Sequence, residues 1–261
     1  TTYIRYILAN TSVNEIMLRT QDNESGSVVY LTNVSIKEVT CDIVAFYPLD
    51  ADSEVKGLSF DGTGDYVDCG ANVHDFSSGD FTVTGWIYHD TANSHHAGII
   101  GVRDSTNTEV QLYINSADNK LYSWNGSTNV SSTTAILDEV WTHVAMVQSG
   151  SNKKFYINGV LDNTASQSHG TARPATFKIG WTGSGSEEYQ GKMSSISVYS
   201  VEKSATEIKA IYDDGIGGDE SSNSSLVGYW KLDNASTVTD FSSNSSNGTV
   251  NNATLISAGT T

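Results

Sequence analysis

The sequence has little proline, little cysteine and few basic residues. Of its 261 residues 2 are proline and 2 are cysteine, at Cys41 and Cys69. Two cysteines are too few for a disulfide-rich scaffold. They either form a disulfide or remain buried free thiols, and their spacing in the sequence does not decide between these alternatives. No apolar run of 18 residues is present, so no membrane-spanning helix is predicted.

The chain is strongly acidic because its basic residues are few. There are 14 Lys and Arg against 30 Asp and Glu, which gives a formal net charge of −16. A strongly acidic surface repels phosphate backbones, so nucleic acid is not expected as a partner. Such a surface either is simply solvated or contributes ligands to divalent cations.

Apolar and aromatic residues are plentiful but come in short runs. The chain is 38% hydrophobic, with 13 Tyr, 7 Phe and 5 Trp, and its runs are separated by Gly, Ser, Thr and Asn. This punctuation is typical of all-β proteins. The central stretch, residues 141–163 (WTHVAMVQSGSNKKFYINGVLDN), alternates with period two and predicts three antiparallel strands, the last two joined by a tight Asn158-Gly159 turn.

The same pattern over residues 41–213 predicts about eleven strands, spaced near ten residues apart. We therefore expect a two-sheet antiparallel jelly-roll sandwich in an all-β protein. One short helix is predicted near its C-terminal end, where Ser204 and Glu207 form a capping box ahead of an apolar stripe.

Three further segments flank this unit. Residues 1–40 are predicted to be the C-terminal strands of a preceding sandwich, and residues 214–225 a linker by composition. LVGYWKLD at 226–233 repeats IVAFYPLD at 43–50, so residues 226–261 either open a second repeat or pack onto a sheet of the first. The chain begins TTYIRY without Met, and we expect it to be a piece of a longer polypeptide.

Two resemblances are carried by particular motifs. GSVVYLTNVSIKEV, which ends at 39, resembles the last strand of galactose-binding-like, carbohydrate-binding-module sandwiches. GLSFDGTGDYVDCG, FTVTGWIYH, WTHVAMVQ, KKFYINGVL, FKIGW, GKMSSISVYS and SATEIKAIYDDG resemble, in order, the blocks of laminin G-like, concanavalin A-like lectin domains, which share the pentraxin fold. One block departs from the family, because Ser194 and Ser195 replace its two acidic residues.

The second resemblance implies a binding and adhesion scaffold that recognises glycans, in some members with calcium. Such domains occur in bacterial adhesins and in fibre, tail and capsid-attached proteins of phages. The pentraxin-like calcium site would fall here on Asp104 and Asn107 after one strand, and on Glu187, Glu188 and Gln190 before another. The alternative is that these are solvated loop residues.

Aromatic residues at strand ends supply candidates for sugar binding, because ring faces stack on the apolar faces of sugars. Trp124, Trp181 and Tyr189 stand beside polar loops, the alternative being packing at the edge of the core. Trp86 and Trp141 lie inside alternating strands and are predicted to be core, and His143 to be a hydrogen-bonded core histidine.

Catalysis is not expected. No strand carries the closely alternating carboxylates of retaining glycosidases, and no nucleophile elbow is present. We expect a non-catalytic module on a virion or extracellular surface that contacts host glycans or neighbouring subunits. The alternatives are a secreted bacterial adhesin, an accessory domain of a polysaccharide-active enzyme, and a purely structural spacer; a homo-oligomer is expected.

Overall fold

The computed structural model describes residues 56–71, 73–91, 95–104, 108–171 and 175–256. The chain divides into two compact units, Thr1–Val44 and Ala45–Thr261, and every described residue belongs to the second. The strands predicted within residues 1–40, the strand predicted at 42–49 and Cys41 lie outside the described residues. The predicted domain boundaries therefore stay predictions.

The described region contains sixteen strands and one α-helix. The strands are β1 (Leu58–Asp61), β2 (Tyr66–Asp68), β3 (Phe81–His89), β4 (Ala97–Arg103), β5 (Thr108–Ile114), β6 (Lys120–Trp124), β7 (Asn129–Ala135), β8 (Trp141–Ser149), β9 (Asn152–Ile157), β10 (Val160–Ser166), β11 (Phe177–Ile179), β12 (Gln190–Tyr199), β13 (Leu226–Trp230), β14 (Thr237–Val238), β15 (Gly248–Asn251) and β16 (Thr254–Leu255). The helix, α1, spans Ala205–Asp213, and no helix of the described region has the length and apolar character needed to cross a membrane.

The strands form two antiparallel sheets. Sheet I has the order β10-β9-β8-β3-β12-β1-β16, with β13 also paired to β12, and sheet II has the order β14-β15-β2-β11-β4-β5-β6-β7. Their inner faces enclose one continuous apolar core, in which Phe177 stacks on Trp230 with ring centroids 5.3 Å apart. The predicted all-β, two-sheet jelly roll with one short helix is confirmed.

The central three-strand unit also forms as predicted. β8 pairs with β9 and β9 with β10, and the turn between the last two has Asn158 at φ 50° and Gly159 at φ 76°. Positive φ at both central positions is what a type I′ turn requires, and Asn-Gly tolerates it best. Asn158 also fixes β8, because its Oδ1 accepts a hydrogen bond from the His143 backbone N–H at 3.0 Å.

Helix α1 covers part of the outer face of sheet I. Ser204 accepts from the Glu207 N–H, and the Glu207 side chain accepts from the Ser204 N–H, so the predicted capping box is present. Ile208 packs into a cluster with Ala145, Val147 and Tyr156. The helix is thus fastened to β8 and β9 by one fully buried side chain.

Residues 226–256 add strands to both sheets of the jelly roll. β13 pairs with β12 and β16 with β1 in sheet I, and β15 pairs with β2 in sheet II. Trp230 is 0% exposed, and its Nε1 donates to the Ser246 carbonyl. The sequence left open whether this segment opens a second repeat or packs onto a sheet of the first, and its described residues take the second arrangement.

The margin formed by β10 and β7 is closed by side chains. Both strands stand at the ends of their sheets. The Asp162 carboxylate accepts hydrogen bonds from the backbone N–H groups of Thr133 and Thr134, the latter at 3.1 Å. The Asn163 amide donates to the Ser131 carbonyl at 2.8 Å. Side chains of β10 therefore occupy backbone groups of β7.

Candidate functional site

Aromatic side chains line the outer face of sheet II. Along β6 the residues alternate, so Leu121 and Ser123 are buried and Tyr122 and Trp124 are half-buried on the outside. Tyr113 on β5 is the direct cross-strand partner of Tyr122, and the two rings lie 5.7 Å apart. Neighbouring strands thus place three aromatic rings on one outer face, of which Tyr113 is buried at 5% exposure and Tyr122 and Trp124 are partly accessible.

Hydrogen-bonding groups surround these rings. The Tyr113 hydroxyl donates to Asn129 Oδ1 at 3.0 Å, and the Tyr122 hydroxyl donates to Asp118 Oδ2 at 3.2 Å. Burial and the nearby Glu187 carboxylate raise the pKa of Tyr113 to about 12. Both tyrosines therefore keep their protons at neutral pH, and the face combines apolar rings with amide and carboxylate groups.

The segment 181–188 crosses the outer face of β4. Gly98 and Gly101 leave room for it, since a Cβ at Gly101 would lie 2.3 Å from the Thr182 carbonyl oxygen. The Gln111 amide donates to that oxygen at 2.8 Å, and the Gly98 N–H donates to the Glu187 carbonyl at 3.1 Å. The segment is thereby fixed as a wall beside Trp124, whose cross-strand partner is Gln111.

Trp181 stands at the start of this wall. Its half-buried ring lies 5.2 Å from the Tyr66 ring, and Lys178 Nζ sits 4.0 Å from its centroid. The indole Nε1 donates to the Gly185 carbonyl at 3.3 Å. Trp181 follows β11 and Trp124 is on β6, three strands away in sheet II, so at ~4.8 Å per strand these two strands are about 14 Å apart. Both predicted tryptophans thus belong to the same outer face.

Tyr189 departs from the sequence-based expectation. Its side chain is 0% exposed and its ring is edge-on to Phe60, with centroids 6.1 Å apart. The side chain alternates inward beside half-buried Glu188 and Gln190. A sugar at the surface cannot contact this ring, so Tyr189 belongs to the core and not to the face.

The described residues among the predicted calcium ligands make different contacts. Thr182 Oγ1 donates to Glu187 Oε2 at 2.6 Å, above the sheet face. Glu188 instead lies near Asp65, whose pKa is raised by burial and by the Asp61 and Glu188 carboxylates. Gln190 is the cross-strand partner of Asp61.

Asp104 is half-buried just after β4, and Asn107 lies outside the described residues. Across the described ranges, no three His, Cys, Asp and Glu side chains come together as a metal site needs. Asp61 supports the turn after β1, because its Oδ1 accepts a hydrogen bond from the Thr63 N–H at 2.8 Å.

Sequence reasoning missed Tyr66, Lys178, Tyr113 and Tyr122. Tyr122 could have been found, because it alternates with Trp124 in the string KLYSW. Tyr66 and Lys178 join Trp181 only through the pairing of β2 with β11, which links positions more than a hundred residues apart. No sequence pattern within either strand predicts that pairing.

Comparisons with known proteins agree with this architecture. The family model described as the concanavalin A-like lectin/glucanases superfamily, of laminin G type, matches residues 61–209, more than half of the chain. A search of curated protein sequences gives no match.

Three solved structures resemble parts of this chain. A candidate carbohydrate-binding protein from Bacteroides ovatus is 22% identical with a TM-score of 0.64, over 79% of this chain and 60% of that chain. A heptameric pentraxin from Limulus polyphemus is 20% identical with a TM-score of 0.48, over 60% of this chain and 81% of that chain. Domain 4 of an extracellular arabinanase from Geobacillus stearothermophilus, solved with arabinotriose, is 18% identical with a TM-score of 0.48, over 60% and 76%.

Proposed function

Because this chain belongs to the concanavalin A-like lectin/glucanases superfamily, we propose that it is a non-catalytic module that binds glycans on the outer face of sheet II. The observation that carries the proposal is the pair of half-buried tryptophans, Trp124 and Trp181, on that one face. Exposed aromatic rings flanked by hydrogen-bonding groups are the usual means of holding a sugar.

The groups around the two rings suit an uncharged sugar. Asn129 contributes an amide, Asp118 a carboxylate and Lys178 an ammonium group. Hydroxyl groups of a sugar can donate to the first two and accept from the last. The Bacteroides ovatus protein with the same fold is described as a candidate carbohydrate-binding protein, so the fold is compatible with this role.

The proposed setting is a virion or extracellular surface, where the module would attach its parent protein to host polysaccharide or to neighbouring subunits. A secreted bacterial adhesin and an accessory domain of a polysaccharide-active enzyme would use the same face in the same way. Absence of carboxylates alternating closely along one strand in the sequence supports a role without hydrolysis. Release of reducing sugar from any polysaccharide by this chain would contradict that part of the proposal.

A glycan array followed by affinity electrophoresis in polysaccharide gels tests the face. We expect Trp124→Ala and Trp181→Ala each to weaken binding about tenfold or more, because each removes a ring at a binding centre. Phe241→Ala is the matched control, since Phe241 is 39% exposed and lies outside this face. Absence of binding to every glycan would leave a purely structural spacer.

Calcium is a separate proposal for the loops that carry Asp104 and Asn107 and Glu187, Glu188 and Gln190. Their oxygen atoms are of the type that calcium prefers. If calcium is needed, EDTA abolishes glycan binding, added calcium restores it, and Asp104→Ala lowers the stabilisation by calcium. An unchanged melting temperature with and without calcium would remove these residues as ligands.

A further inference from the structure

A row of aromatic and polar side chains crosses the opposite side of the sandwich, on sheet I. Direct cross-strand pairing links Trp141 to Tyr88, Tyr88 to Lys192, Lys192 to Ser59, and Ser59 to Thr254. These five residues stand on five adjacent strands and point to the outer face. Four strand spacings of ~4.8 Å give the row a length of about 19 Å.

Helix α1 stops short of this row. It covers the neighbouring row, where Tyr212 stacks on Trp86 with centroids 5.6 Å apart and lies 6.0 Å from the His143 ring. Trp86 and His143 are buried as a result, whereas Trp141, Tyr88, and Lys192 are half-buried and Thr254 is exposed. Within the part of the chain that the structure describes, every member of the row is therefore at least partly accessible to a ligand.

The chemistry of the row changes from one end to the other. The Tyr88 and Trp141 rings lie 5.8 Å apart at 61°, and Lys192 Nζ sits 4.6 Å from the Tyr88 centroid. Ser59 and Thr254 add hydroxyl groups at the far end. Rings at such an angle cannot both lie against a flat crystalline surface, but they can contact successive units of a twisted, soluble sugar chain.

The charge around the row favours a neutral ligand. Lys192 is the only cation of the row. Partial burial raises the pKa of Tyr88, and the nearby carboxylates of Glu139 and Asp90 raise it further. One ammonium group against two carboxylates does not attract an anionic polysaccharide. The same groups can exchange hydrogen bonds with the hydroxyls of an uncharged one.

We infer that the Trp141–Tyr88–Lys192–Ser59–Thr254 row is a second binding site, for a single chain of a soluble neutral polysaccharide. It lies on the opposite outer face from Trp124 and Trp181. One copy of the module can therefore hold two chains at once, and a polysaccharide with many sites becomes cross-linked through it. This inference goes beyond the proposed function, which needs sheet II alone.

Affinity electrophoresis of the full chain in gels of arabinan, xylan, laminarin and galactomannan, with alginate as the anionic probe, tests the row. The double variant Tyr88→Ser/Trp141→Ala and the single variant Lys192→Ala are compared with the sheet II variants. We expect the double variant to lose about tenfold or more of its affinity for the retarding neutral polysaccharide. Val160→Ala, an exposed site on the same sheet but outside the row, is the matched control.

Cross-linking is read by light scattering of the wild-type chain mixed with that polysaccharide. Scattering should rise with the wild type and stay at baseline when either face is altered. Unchanged affinity of the double variant and of Lys192→Ala, with native melting, would overturn the inference while leaving the proposed function standing. Retardation by alginate alone would overturn the neutral assignment.

Two further outcomes would also decide against the row as a glycan site. If sedimentation shows a wild-type dimer that the double variant abolishes, the row is a contact between copies. If none of the gels retards the wild-type chain, both the row and the sheet II proposal fail together.

Discussion

His143 shows how far a residue's neighbours decide its chemistry. The sequence predicts a hydrogen-bonded core histidine, and the side chain is indeed 0% exposed. Both ring nitrogens, however, have no hydrogen-bond partner among the described residues. The ring is packed between Trp86 and Tyr212 instead, and burial lowers its pKa to about 3.

The pKa of His143 predicts a loss of stability in acid. The unfolded chain takes up the proton near the ordinary histidine pKa of 6.5, whereas the folded chain does so only near 3. The free energy of unfolding should therefore fall as pH falls between these values, by about 1.4 kcal/mol per pH unit from this group. Urea denaturation at pH 7, 5 and 4 measures it. His143→Leu should remove this part of the slope; equal slopes would contradict the assignment.

Trp141 corrects another residue-level prediction. The alternation of its strand predicts a buried core position for Trp141. Trp86, on the same outer face, is buried at 6% exposure as predicted. Trp141 is only half-buried because α1 covers the row of Trp86 and not the row of Trp141. Alternation identifies the face of a strand, but it cannot show whether another element covers that face.

At the scale of single elements, strands with apolar alternation were predictable. β3 coincides with the alternating block FTVTGWIYH, and β8 to β10 follow the predicted turn. β7, NVSSTTA, was missed because it is an edge strand whose inward positions are mostly Ser and Thr. Its pairing with β6 decides its conformation, and no apolar period marks it in the sequence.

The cap of α1 is an element that can be tested directly. Ser204→Ala removes the side-chain acceptor for the Glu207 N–H and should lower the free energy of unfolding by about 0.5–2 kcal/mol. Urea denaturation at neutral pH gives the value. Ser204→Asp keeps an acceptor at the same position and should retain most of the stability. A loss equal to that of the alanine variant would contradict the capping role.

At the scale of the whole molecule, the C-terminal segment is part of the sandwich. LVGYWKLD repeats the motif at 43–50, and this similarity alone cannot separate a new repeat from a strand of the existing one. Pairing with distant strands decides between the two. The cross-strand partners of β13, β15 and β16 lie between about thirty and two hundred residues away in the sequence. Long-range pairing of this kind has no local signature.

Trp230 offers a test of whether the C-terminal segment unfolds together with the rest of the sandwich. Its side chain is fully buried and stacks on Phe177 of sheet II, so Trp230→Ala should cost about 3–5 kcal/mol in one cooperative transition. Phe241→Ala, at a 39% exposed site, should cost less than about 1 kcal/mol. Thermal unfolding followed by calorimetry distinguishes them. An unchanged main transition in Trp230→Ala would mean that the segment folds separately.

The Asp162 and Asn163 contacts to β7 have a consequence for crowded surfaces. Exposed edge strands offer unpaired N–H and C=O groups on which another chain can add a strand. Here a carboxylate and an amide occupy three of those groups on β7, those of Ser131, Thr133 and Thr134. A second copy pressed against this margin therefore meets a poorer template for strand addition, which is the step that starts edge-to-edge aggregation where β-sandwiches are displayed at high local density.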